Sequence, residues 1–139
     1  MTEEENFPEL VEDIVGPTLA NLGFVTDAVD EGRPLGSVVY YRSNDCRLQV
    51  YWSSRAGEIN CMIAPIGAQN EPGLYDRSGM WHYLKEFTAR PNLPLEELVK
   101  VLQAERANFE TRAKWLQWLR GQIERDFETA RLAITKKYG

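Results

Sequence analysis

The sequence predicts an α+β domain: an antiparallel sheet of about four strands with an N-terminal amphipathic helix and a long helical C-terminal section. Three observations predict it. Residues 37–66 hold three runs rich in Val, Tyr, Ile and Trp, residue types that suit a pleated surface, divided by two turn signals. Residues 6–22 carry apolar side chains at helical intervals. From residue 95 to about residue 137 the chain holds few helix breakers. Together these describe one domain over 1–139, with helix and sheet meander in 1–93 and the helical section in 94–139.

The meander fixes its own register. Ser43, Asn44 and Asp45 form the first turn signal, and Ser54, Arg55, Ala56 and Gly57 the second. Centring the first on Asn44-Asp45 sets Val39 against Val50 and Tyr41 against Leu48. Centring the second on Arg55-Ala56 sets Val50 against Cys61, Leu48 against Ile63 and Trp52 against Ile59. One face then gathers Val39, Tyr41, Leu48, Val50, Trp52, Ile59, Cys61 and Ile63. A slip of one residue would send the whole set to solvent, so two turns that agree specify the pairing. The other face reads Val38, Tyr40, Arg47, Gln49, Tyr51, Glu58, Asn60 and Met62. Its mixed chemistry fits partial cover by a helix. It also fits a partner-binding face centred on Tyr40, Tyr51 and Met62, since Tyr and Met are favoured at interface cores.

The remaining elements follow in order. Asn6 is placed to cap the first helix, with Pro8 in its first turn and an apolar stripe of Phe7, Leu10, Val11, Ile14, Val15, Leu19 and Leu22. Gly16-Pro17 predicts a kink or a restart, and Gly23 a stop. Residues 24–30 are expected to form a first strand, although they alternate poorly. Residues 65–79 read as a loop and 80–88 as a short helix with Trp81, Leu84 and Lys85 at helical spacing. In the C-terminal section Leu95, Leu98, Val99 and Leu102 make one stripe. Phe109, Ala113, Leu116, Ile123, Phe127, Ala130 and Ile134 make another, near heptad spacing. Trp115, Trp118 and Leu119 widen that surface, so the helix needs more than one neighbour: the sheet plus a helix, or a second chain.

Charge is unevenly spread over a net −5. Residues 1–32 hold nine acids and no Lys or Arg, whereas residues 100–139 hold nine bases against five acids. Glu3, Glu4 and Glu5 near the first helix suit its dipole. Glu9, Glu12 and Asp13 are the candidate core of an acidic docking surface for a basic protein partner. An acidic chain lacks the surplus positive charge that phosphate neutralisation requires, so nucleic acid is not expected as a ligand. The first residues show no charged-then-apolar leader, and no apolar run approaches the roughly 18 residues that span a bilayer. A soluble cytoplasmic protein without membrane partners is expected. Cys46 and Cys61 are not opposed in the register, so no disulfide is expected, and two thiols with one histidine predict no metal site or cofactor. A lone His82 with no Ser or Cys nucleophile motif supports no triad, and no catalytic residue is assigned.

The stretches FPELVEDIVGPTLANLGF and VVYYRSNDCRLQVYWSSRAGEIN resemble small bacterial α+β proteins in which an amphipathic helix ends in Leu-Gly-Phe. In these a strand meander with an Arg-x-Gly-Glu turn follows. The resemblance covers residues 7–60, and some proteins of this build are immunity-protein-like. It implies a non-enzymatic module that binds and blocks a toxin, and lends no catalytic residues. Two competing expectations stand beside it. One is a small-molecule-binding protein or enzyme with a pocket between sheet and helices lined by Trp52, Trp81, His82 and Tyr83. The other is a homodimer through the helix around Leu116 to Ile134.

Overall fold

The computed structural model describes residues 6–33, 36–53, 58–71, 78–87, 94–106 and 111–138. Glu3, Glu4, Glu5, Phe109 and the turn at 54–57 lie outside them. The fold is α+β, built on an antiparallel sheet in the order β1-β2-β3-β4-β5. The strands are β1 (Val25–Arg33), β2 (Gly36–Arg42), β3 (Cys46–Ser53), β4 (Glu58–Pro65) and a short β5 (His82–Tyr83).

The paired register follows the sequence residue by residue. Val39 opposes Val50 and Tyr41 opposes Leu48. Val50 opposes Cys61, Leu48 opposes Ile63 and Trp52 opposes Ile59. The first turn is held locally: the Ser43 amide donates to the Cys46 carbonyl at 2.9 Å, and the Ser43 hydroxyl accepts from the Asp45 and Cys46 amides at 3.3 Å. β1 explains its own weak pattern. Its pairing with β2 shifts register between Thr26 and Ala28 and again between Asp30 and Arg33, and each irregularity breaks the alternation by which a strand is recognised.

The N-terminal helix restarts rather than bends. α1 (Phe7–Ile14) takes a cap from the Asn6 side chain, which accepts from the Glu9 amide at 3.3 Å. α2 (Gly16–Asn21) begins afresh with Pro17 in its first turn, where the missing N–H costs no bond. Gly23, at φ 92°, lets the Phe24 amide turn back to the Leu19 carbonyl at 2.9 Å. The helical C-terminal section comprises, among the described residues, α3 (Leu95–Arg106) and α4 (Arg112–Tyr138). The Thr111 hydroxyl caps the second by accepting from the Lys114 amide at 3.1 Å.

The core lies between one face of the sheet and the helices α1 and α4. Phe7, Val11, Val15 and Leu19 meet Leu116, Leu119, Ile123, Phe127, Ala130 and Ile134 over Val39, Leu48, Val50, Cys61 and Ile63. Burying each of these larger aliphatic side chains contributes about 1.5–3 kcal/mol before chain entropy is charged against it. The near-heptad residues of α4 therefore pack inward on sheet and helix. Leu116, Ile123 and Ile134 are fully buried within the chain.

The second face is also buried, by something the sequence does not announce. Val38, Tyr40, Tyr51, Met62 and Ala64 pack under Ala68 and Trp81, with Met80 and Tyr83 at the margin. The cover is the chain that follows β4, in place of the expected helix. Residues 80–88 were expected to be helical, but His82 and Tyr83 pair with Ile63 and Met62, and a single 3₁₀ turn follows at Leu84–Phe87. Trp81 and Leu84 are both buried, yet in different clusters. Both cysteines are free and buried. Burial pushes the Cys46 thiol up to about 12 and raises that of Cys61 as well.

Candidate functional site

Glu9, Glu12 and Asp13 stand on the exposed side of α1, opposite the buried Phe7 and Val11. They are not equivalent. One oxygen of Glu12 accepts from the Thr26 hydroxyl at 2.7 Å and from the Tyr41 hydroxyl at 3.1 Å. Tyr41 is buried, and burial followed by the negative charge of Glu12 drives its phenol well above the usual range. Glu12 is thus a strut between α1 and the sheet, while Glu9 and Asp13, one helical turn apart, are the outward charges. Of the other acids near the N-terminus, Asp27 is already paired with cations. Its carboxylate takes Arg42 at 3.1 Å, Arg47 at 3.0 Å and the Asn70 amide at 2.6 Å.

Tyr40, Tyr51 and Met62 are only 3–4 % exposed. They form the floor under Trp81 and Ala68, so a partner reaches them only if that cover moves. The Tyr51 hydroxyl donates to Glu58 at 2.7 Å and lies 3.3 Å from that of Tyr83. Burial first, then the bonds to Tyr83 and Glu58, raise the Tyr51 phenol above its ordinary range.

The four residues expected to line a pocket do not converge. Trp52 lies on the α4 side of the sheet, half-buried, with the Arg112 guanidinium 4.2 Å above its ring. Trp81 and Tyr83 belong to the opposite face. His82 sits opposite Ile63 and so points to the α4 side. There its Nδ1 is 2.8 Å from Glu86 and its Nε2 2.8 Å from the Tyr138 hydroxyl, with the Phe87 ring 5.5 Å away. The Tyr138 hydroxyl also lies 3.2 Å from the Gly79 carbonyl. It has one proton to give, so it donates either to that carbonyl or to Nε2. The His82–Glu86 spacing was visible as an i,i+4 pair, but Tyr138, 56 residues from His82, carried no sequence signal.

Among the described residues no group of three or more His, Cys, Asp or Glu side chains is arranged to hold a metal ion. Among them, too, no helix is long and apolar enough to cross a membrane. Comparison with protein-family models, curated proteins and solved structures finds no match for this chain.

Proposed function

We propose that the protein is a non-enzymatic, cytoplasmic protein-binding module that presents the outer side of α1 to a basic partner, as an immunity-type protein does when it blocks a toxin. One observation carries the reading. Glu9 and Asp13 project from a helix whose opposite side is locked into the core by Phe7 and Val11, in a stretch of 32 residues that contains no Lys or Arg. Fixed like charges on a preorganised helix raise the encounter rate with a cationic surface and bias its orientation. The scattering of Trp52, Trp81, His82 and Tyr83 over two faces lends no support to a shared pocket.

The test uses Glu9→Lys with Asp13→Lys and keeps Glu12, because losing that carboxylate would disturb Thr26 and Tyr41. Wild-type and reversed proteins serve as baits for a cell extract at about 0.05 and 0.5 M salt. The expected result is a basic protein whose capture falls about tenfold with the reversal and also falls with salt. Capture that survives both changes would overturn the proposal.

A further inference from the structure

The cover over the second face is fastened by a residue from the far end of α4. Residues 78–83 carry Met80 and Trp81 across that face, and Trp81 is 6 % exposed. Its ring centroid lies 6.4 Å from that of Tyr40, and its indole N–H donates to the Gln69 carbonyl at 3.0 Å. Below it β5 adds only two ladder pairs, Met62 with Tyr83 and Ile63 with His82. At this edge of the sheet the Tyr138 hydroxyl meets both Gly79, just before Met80, and His82, just after Trp81. A single side chain of α4 therefore brackets the segment that seals Val38, Tyr40, Tyr51 and Met62 from water.

We propose that Tyr138 is a latch on a strap, residues 78–83, whose release uncovers the aromatic second face while the α1/α4 core stays folded. Two features favour opening at this point. Tyr138 is 37 % exposed, so water competes for its hydroxyl, and the covering side chains belong to the second-face cluster rather than the main core. The inference stands independently of the acidic helix.

Hydrogen exchange of the Trp81 indole N–H in the full-length protein tests it, with the Val50 amide at the centre of the sheet as reference. In the wild type, Trp81 should exchange with a shallower dependence on denaturant than Val50, the mark of an opening smaller than global unfolding. Tyr138→Phe, which keeps the ring and removes the hydroxyl, should speed Trp81 exchange about tenfold without steepening that dependence. Either of two results would overturn the latch: Trp81 exchange unchanged by Tyr138→Phe, or Trp81 exchanging with the same denaturant dependence as Val50.

Discussion

Glu9, Glu12 and Asp13 are three carboxylates on one short helix, and position along the chain does not distinguish them. Their surroundings do. Glu12 is the acceptor for a hydroxyl on β1 and for the phenol of the buried Tyr41 on β2, so removing its charge turns two charge-assisted hydrogen bonds into weaker neutral ones. Glu12→Gln is expected to cost about 1–2 kcal/mol in urea unfolding, whereas Glu9→Gln and Asp13→Asn should stay within about 0.5 kcal/mol of the parent. The same contrast holds at Arg131. It is on the solvent side of α4, yet it pairs with Asp45 in the β2–β3 turn at 2.8 Å and with Glu128 at 2.7 Å. At this scale the sequence shows which residues are charged, and only the fold shows which charges are struts.

At the scale of elements, legibility follows how local the determinants are. The β2–β3–β4 register is legible because each hairpin carries a turn signal in its sequence and regular alternation beside it. β1 is blurred by two register shifts, and β5 reads as helix because Trp81 and Leu84 are spaced three apart while the backbone between them is extended. The chain after β4 has no period to read, since its placement comes from polar ties to distant strands. Arg47 donates to the Ile66 carbonyl at 2.7 Å, and the fully buried Gln49 donates to the Glu71 carbonyl at 2.9 Å. Asp27, at the first shift in β1, joins Arg42, Arg47 and Asn70 across three elements. The Asn70 hydrogen bond, helped by Arg47 and Arg42 against the opposing effect of burial, holds the Asp27 carboxyl below its usual range. A carboxyl depressed in the folded state stabilises the fold above its unfolded value, near 3.9, and that contribution is lost as pH falls towards the folded value. Asp27→Asn should therefore destabilise the protein fully at about pH 6, and the gap to the parent should close progressively below about pH 4 in chemical denaturation series.

Across the whole molecule the central strands β2, β3 and β4 are buried on both faces by unlike means. Regular helices cover one face, and irregular chain held by side-chain hydrogen bonds covers the other. That asymmetry decides how α4 is to be understood. Its broad apolar surface admitted two neighbours of either kind, and sheet with α1 account for Leu116, Leu119, Ile123, Phe127, Ala130 and Ile134. The Phe127 ring meets Phe24 edge-on at 5.4 Å, and Glu124 accepts from Thr18 on α2 at 3.4 Å, so the helix is keyed to the N-terminal layer along its middle. A stripe used up in this way is expected to contribute to stability within one chain, independent of protein concentration. Leu116→Ala removes a fully buried side chain from the middle of this layer and should cost about 2–5 kcal/mol. Were the same stripe a seam between copies, the loss would depend on concentration and the variant's mass in solution would fall. Thermal melts at two concentrations tenfold apart, paired with light scattering, should give one melting temperature for each protein and an equal mass for parent and variant.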